Sequence, residues 1–429
     1  MRGLVVKIRR FSLLIFLALL LCGGASASGL GSGGRNAPDQ LHKPYLVLIS
    51  IDGFRWDYPD LYPTPAIDRI AGRGMKAAAM QPAFPTLTFP NFYSIATGML
   101  PAHHGLVANE FPGEETGSWY NYKTRSTVQD GSWYLAEPIW VTAEKQGMVT
   151  AAYFFVGTEA DVRGVRPTHW RKFNTEDSGE QRVRQVLKWL AEPAEVRPHL
   201  ITLYFEEVDD YAHWYGPGSP ESIESISRVD EQIGQLLDGI EKLPFAEDVY
   251  IVLVSDHGQA LYQKQKPVFI LDQHVVLDGA RLVEGGPYVF IHFDQEDETR
   301  VAEIRDTINR VWNCGRALLP EDAPESWAVN DSRRFPDIIV QADPGCAVIS
   351  SSARRNKITT GDHGWPPEMK EMRGIFMASG PGIAPGTRTG IIHVKDVYPL
   401  MMKILGLAYP GPIDGDPDRL PALLETQSD

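Results

Sequence analysis

The chain has 429 residues, 43% of them hydrophobic and 22% charged, with a formal net charge of −14. That length and composition can bury a sizeable core and exclude a disordered or low-complexity chain. The acidic balance excludes non-specific binding to nucleic acid or to an anionic membrane, whereas clustered carboxylates would suit cations.

In chain order, the first 27 residues differ in kind from the rest. Arg2, Lys7, Arg9 and Arg10 precede an apolar run at 11–22 (FSLLIFLALLLC), and Ala25-Ser26-Ala27 supplies small residues for cleavage. These are the three regions of an export signal peptide. The run is short for a membrane span, so cleavage after Ala27 and a periplasmic or secreted protein are expected. Residues 28–42 (SGLGSGGRNAPDQLH) read as a flexible leader with nothing to pack, ahead of one catalytic domain over 43–429 that becomes ordered at Tyr45.

From Tyr45 onward, short apolar runs alternate with helical patterns. The runs are YLVLISID (45–52), VTAAYFFVG (149–157), HLITLYFE (199–206), DVYIVLVSDH (248–257) and GIFMASG (374–380). Runs this short and this apolar predict strands buried on both faces. Between them, Val183, Val186, Leu187 and Leu190 share one helical face, and Val229, Ile233, Leu236, Leu237 and Ile240 share another. Strands alternating with helices predict an α/β fold, a doubly wound, mostly parallel sheet flanked by helices. The segment 259–361 breaks this rhythm and predicts an inserted smaller subdomain. It has a strand-like YVFIHFD (288–294), an amphipathic helix on Val301, Ile304, Ile308 and Val311, and Cys314 and Cys346. Those are the last two cysteines of the chain, and one disulfide between them suits an oxidising compartment.

Three of the buried runs end in acids: Asp52-Gly53, then Glu206-Glu207-Val208-Asp209, then Asp256-His257-Gly258. Any one of these aspartates alone reads as a helix cap or turn residue. Three together fall in the crevice beyond the strand carboxyl ends, where open α/β sheets bind ligands. Asp209 and His213 are four apart and share a helical face, with Asp210 as the alternative one residue away. His363 follows in TTGDHGW. Imidazole with carboxylate suits Zn²⁺, with Mn²⁺ or Fe as other fits. Two ions about 4 Å apart would form a clamp for in-line displacement at phosphorus. The stretch FPTLTFPNFYSIATGMLPAHHGLVAN (84–109) carries Thr86, Thr88, Tyr93 and Ser94, and residue type alone does not choose a nucleophile among them. His103, His104, His169 and His274 read as packing or surface residues.

Taken together, ISIDGFR, the TFPN stretch with its distant asparagine, EEVDDYAH, SDHG and GDHGW resemble the nucleotide pyrophosphatase/phosphodiesterase family of the alkaline phosphatase superfamily. They stand in that family's order, and the resemblance runs on through DVYPLMMKILGL (396–407). It implies an alkaline phosphatase-like fold and two Zn²⁺ ions. It places Thr88 as nucleophile and Asp209, His213 and His363 on one zinc. Asp52, Asp256 and His257 fall on the other zinc, which also holds the Thr88 oxygen. Asn109, with the Thr88 backbone N–H, would hold a non-bridging phosphate oxygen. A neutral amide there suits a diester, which carries less charge than a monoester. Phe89, Phe155 and Phe173 fall where the family places aromatics around a nucleoside base, although Phe155, in an apolar run, reads equally well as core. The implied partner is a nucleotide or another small phosphodiester, with no stable nucleic-acid partner and no membrane contact beyond the signal. Hydrolysis to nucleoside monophosphates through a phosphothreonine is the expected reaction. Choline or lysophospholipid head-group diesters, a zinc phosphomonoesterase, and a secreted metal- or nucleotide-binding protein are the alternatives. A sulfatase would need Cys or Ser followed by x-Pro-x-Arg, which Thr88-Phe89-Pro90-Asn91-Phe92 lacks.

Overall fold

The computed structural model describes residues 33–113, 117–294 and 297–420. The predicted signal peptide therefore lies outside the described residues. Its centre is an eight-stranded sheet in the order Thr387–Thr389, Met75–Ala77, Phe376–Ser379, Val249–Val254, Tyr45–Ile51, Leu200–Phe205, Thr150–Tyr153, His169–Trp170. The strand Tyr45–Ile51 lies parallel to both neighbours, with Leu48 opposite Thr202 on one side and Val252 on the other. All seven of its residues are buried, which is why it reads as an unbroken apolar run rather than an alternating one. Phe376–Ser379 runs antiparallel to Val249–Val254 and to Met75–Ala77, so the sheet is mostly parallel. An apolar run carries no mark of its direction, and GIFMASG could not reveal this reversal.

The two faces of the sheet are covered by different helices. Val47, Ile49, Ile201 and Leu203 pack against Ile67 and Ile70 of helix Pro65–Arg73, Val183, Val186 and Leu190 of Gly179–Leu190, and Val229, Ile233 and Leu236 of Pro220–Ile240. On the other face, Leu46, Leu48 and Leu200 meet Phe92 and Ile95 of Thr88–Thr97, Ile139 of Ile139–Lys145, and Met401 and Leu405 of Val397–Leu405. Truncating one of these side chains, as in Leu48→Ala, costs about 2–5 kcal/mol because the packed surroundings cannot collapse onto the void. Local signals start the helices: Ser178 and Gln181 form a capping box, and Ser219 accepts from the Ser222 N–H.

Between Val249–Val254 and Phe376–Ser379 the chain builds a second, antiparallel sheet in the order Ala280–Glu284, Tyr288–Phe293, Ile338–Ala342, Gly315–Leu318. Ile304 and Ile308 of helix Glu298–Val311 close its core with Val289, Ile291 and Val340. Cys314 is disulfide-bonded to Cys346, with Cα atoms 6.0 Å apart. Closing a loop of that length stabilises by about 3–4 kcal/mol in the chain-entropy account. The excursion ends where Gly361–Asp362 pairs with Ala260–Leu261, which delivers His363 back beside His257.

The expected free leader is not free throughout. The Asn36 side chain donates to the carbonyls of Ala194 and Arg197 at 2.8 Å and accepts from the Val149 N–H at 2.7 Å. Asn36 is thus buried at the amino ends of two central strands, because it satisfies backbone groups there that the sheet ladder does not reach. A lone Asn in a Gly/Ser-rich stretch gives no periodic signal for such a role.

Candidate active site

The parallel strands of the central sheet end on the same side, and their last residues bring the acids together. Asp52 follows Tyr45–Ile51, and Asp256 and His257 follow Val249–Val254. One oxygen of Asp52 and one of Asp256 are buried without a hydrogen-bond partner, and His257 Nε2 lies 3.6 Å from the first and 3.0 Å from the second. The other Asp52 oxygen accepts from the Tyr204 hydroxyl at 2.6 Å. Two buried, underused carboxylates are costly unless a cation joins them. Burial first, then the charges of Asp256 and Asp209, pushes the Asp52 carboxyl well above its ordinary range.

Asp209, His213 and His363 form the neighbouring cluster. Helix Glu207–Tyr215 puts Asp209 and His213 one turn apart, with Oδ2 and Nε2 at 3.3 Å, and His363 Nε2 lies 3.9 Å from Asp209 Oδ1. Asp209 also accepts from the Gln259 side chain. Asp210 lines the cavity, but it is Asp209 that reaches both histidines. Against the cost of burial, the Asp209 carboxylate pushes His213 up to about 10, whereas burial and then the neighbouring His257 hold His363 well below the ordinary imidazole range. Among the described residues these two triads group as possible metal sites, and in each the ligand atoms lie within 4.8 Å of one another.

The histidines are oriented alike. Nδ1 of His257 faces the Gly258 carbonyl at 3.1 Å, Nδ1 of His213 the Gly361 carbonyl at 3.0 Å, and Nδ1 of His363 the Thr86 carbonyl at 2.8 Å. A proton held on Nδ1 leaves Nε2 as the ligand atom, the arrangement metal-binding histidines need. The donor set of oxygens and Nε2 atoms thus fits a pair of zinc-like cations. The His257 and His363 rings stack across the two clusters at 3.7 Å. Gly53, at φ +64°, makes this approach possible, since a Cβ there would lie 2.7 Å from Asp209 Oδ1.

Thr88 opens helix Thr88–Thr97, and its hydroxyl lies 3.4 Å from His257 Nε2. A helix start presents backbone N–H groups to an anion. Asn109 accepts from the Phe89 N–H at 3.2 Å, which ties its amide to the turn beside Thr88. The other hydroxyls of the stretch are engaged elsewhere. Thr86 donates to the Trp365 carbonyl, Tyr93 to the Ala136 carbonyl, and Ser94 meets His104. His103 bridges Asp414 and Asp331, His169 stacks on Trp189 and His274 on Phe269.

A cavity of about 600 Å³ opens over Asp52, Thr88 and Asp209 and runs out between aromatic walls. Phe89 sits edge-on to Tyr120 and Tyr122, and Phe173 is partly exposed against Phe154 and Tyr204. Phe155 packs on Phe92 and Trp140 and also lines the cavity. Residues that sequence reasoning missed also line it: Tyr122, Lys123, Arg125, Glu159 and Tyr204. Buried Glu159 pairs with Arg125 and accepts from the Phe173 N–H at 2.9 Å, so it braces one aromatic wall. Glu206 is held by Arg182 through two contacts of 2.5 and 2.6 Å. No spacing rule links residues 34 or 24 positions apart, and only the fold pairs them.

Comparison with known proteins gives a consistent result. A family model described as type I phosphodiesterase/nucleotide pyrophosphatase matches residues 46–366. Human ectonucleotide pyrophosphatase/phosphodiesterase family member 1 is 29% identical over 399 residues, covering 90% of this chain and 42% of the relative. The venom phosphodiesterase of Naja atra is 29% identical, covering 94% and 48%. The chain thus spans less than half the length of these two relatives. Among solved structures, murine ectonucleotide pyrophosphatase/phosphodiesterase 5 superposes with a TM-score of 0.82 at 28% identity, over 89% of this chain and all of that one. An inactive threonine-to-alanine variant of that murine protein, in complex with AMP, matches equally well. The fold is therefore alkaline phosphatase-like.

Proposed function

The chain belongs to the type I phosphodiesterase/nucleotide pyrophosphatase family, and on that premise we propose that it is an exported, two-zinc hydrolase. Its substrates are nucleotide phosphodiester or phosphoanhydride bonds, which it cleaves to nucleoside monophosphates. The observation that carries this reading is the pair of buried oxygens on Asp52 and Asp256 that take no hydrogen bond, set beside a hydroxyl at a helix start. Asp52, Asp256 and His257, with Thr88, would hold one zinc, and Asp209, His213 and His363 the other. When bound, the ions supply positive charge that favours an ionised Thr88 oxygen and offsets charge on the phosphoryl and departing oxygens.

The side chains do the rest. The Thr88 oxygen attacks phosphorus, the bond to the departing arm breaks, and that arm leaves with the proton the hydroxyl gave up. Water then attacks the phosphothreonine, its hydroxyl joins phosphorus and its other proton returns to the Thr88 oxygen. Two in-line displacements retain configuration. The Asn109 amide and the N–H groups at the start of the Thr88 helix steady the non-bridging oxygens. Phe89 and Phe173, with the cavity edge of Phe155, stack the nucleoside base. Residues 43–429 would be the catalytic domain, with 259–361 as an inserted subdomain that returns His363 to the site. Among the described residues no helix is long and apolar enough to cross a membrane.

The test is a paired assay of purified protein on a nitrophenyl nucleotide diester and on nitrophenyl phosphate. Strong preference for the diester, loss on chelation and recovery with Zn²⁺ are expected. Equal or faster turnover of the monoester would sink the diesterase reading.

A further inference from the structure

We propose that Gln259 is a positioning residue: its side-chain amide fixes the Asp209 carboxylate so that Oδ2 is the oxygen left to hold an ion with His213 and His363. This rests on the reading above, because it takes those three residues to hold an ion.

The three ligands of that cluster are aimed in different ways. His213 and His363 present Nε2 because the backbone carbonyls of Gly361 and Thr86 face their Nδ1 atoms. A carboxylate is harder to aim, because its last torsion is broad and nearly two-fold, so either oxygen can turn toward a cation. Asp209 is aimed by a side chain. Gln259 Nε2 donates to Asp209 Oδ1 and, at 3.2 Å, to the Asp209 backbone carbonyl. Both oxygens only accept, so the NH₂ end of the amide has to face Asp209 and its carbonyl end has to face away. With Oδ1 taken, Oδ2 is the oxygen beside His213 Nε2, at 3.3 Å, while Oδ1 lies 3.9 Å from His363 Nε2.

Residue type points the same way. Gln259 is fully buried, and its side-chain carbonyl oxygen takes no hydrogen bond among the described residues. A leucine or methionine of similar volume would fill the same place without burying an unmatched polar atom. Packing therefore does not account for an amide at this position, and the bond to Asp209 does.

The backbone puts Gln259 where it can do this. Asp256 and His257 follow strand Val249–Val254, Gln259 comes two residues later, and Ala260–Leu261 then pairs with Gly361–Asp362. That pairing sets the Gly361 carbonyl, which faces His213, beside the same loop. The loop is pinned by the Gly258 N–H on the Met372 carbonyl at 2.9 Å and by the Arg55 guanidinium on the Gln259 backbone carbonyl at 3.4 Å. Gly53 leaves the gap through which the amide reaches, since a Cβ there would lie 3.0 Å from Gln259 Nε2 and 2.7 Å from Asp209 Oδ1. One loop thus carries two side chains of the Asp52 cluster and the side chain that aims a ligand of the neighbouring one.

The test reads ion binding as well as turnover, in the zinc-loaded full-length protein. Gln259→Met and Gln259→Leu keep a similar volume and remove the donor. Competition with a chromogenic chelator should show zinc held about tenfold more weakly at Asp209, His213 and His363, with the ion of Asp52, Asp256 and His257 held as in wild type. Turnover of a nitrophenyl nucleotide diester at limiting zinc should fall in step, and return when free Zn²⁺ is raised about tenfold. Metal would not repair a packing defect, so that recovery separates positioning from a structural role. The wild type supplies an independent reading. A crystal structure of the zinc-loaded enzyme should show Asp209 on its ion through Oδ2, with Oδ1 still accepting from Gln259. Unchanged zinc affinity in both variants, equal weakening at the two clusters, a loss that added zinc does not restore, or an ion on Oδ1 each overturns the role of Gln259 and leaves the hydrolase reading intact. Should His213→Ala leave the zinc content of the protein unchanged, both readings fall.

Discussion

The two ligand clusters are built from the same residue types yet differ in every physical respect that matters for exchange. Asp256 and His257 are carried on a strand end and their side chains are fully buried, whereas His213 stands in the last turn of a short helix with its side chain 20% exposed. The first cluster touches Thr88 and reaches the cavity only through Asp52, whereas all three residues of the second line it. The contrast teaches a division of labour. On the proposed mechanism the closed cluster would activate Thr88 and hold still, while the open one would receive the departing oxygen and let product and water pass.

The sharpest way to break that division is at Thr88. Thr88→Ala should lower turnover of a nitrophenyl nucleotide diester by at least about a thousandfold, with both metals still bound by elemental analysis. A variant retaining most of its turnover would remove the closed cluster's distinguishing role. Next in size is the pair His257→Ala and His213→Ala. Each should lose one ion of two and about a hundredfold or more in activity. In wild type, titration with a dilute chelator should extract the open-cluster ion first, and simultaneous release would erase the proposed difference.

A smaller effect is expected at Tyr204, whose hydroxyl donates to Asp52. Tyr204→Phe should weaken metal binding in the closed cluster about tenfold and leave the open cluster unchanged, as read by competition with a chromogenic chelator. The smallest is at Gly53, which joins the two clusters. Gly53→Ala should cost about 1–2 kcal/mol in denaturant unfolding from its positive φ. Its new methyl should crowd Asp209 and so disturb the open cluster from the strand that serves the closed one.

Much of this was legible before any coordinates. Runs such as YLVLIS announce strands because burial on both faces removes polar residues from them, and Asp209-His213 announces a shared helix face because helical geometry repeats every 3.6 residues. Asp52, Asp256 and His363 were found from strand ends and short motifs. What stayed hidden depends on partners far away in sequence. Tyr204 sits in an apolar run and shows its role only when Asp52 is placed beside it, and Arg125 with Glu159 looks like ordinary surface charge until both line one cavity. Asn36 hid for the same reason, since its acceptors are loop carbonyls beyond residue 190.

That asparagine has a practical consequence for handling the protein. It pins the incoming chain at the amino ends of the central strands, the pole opposite the cavity. Residue 36 is thereby held at the back of the molecule. A version trimmed to begin at Tyr45 would lose this pin and leave the carbonyls of Ala194 and Arg197 without their donor.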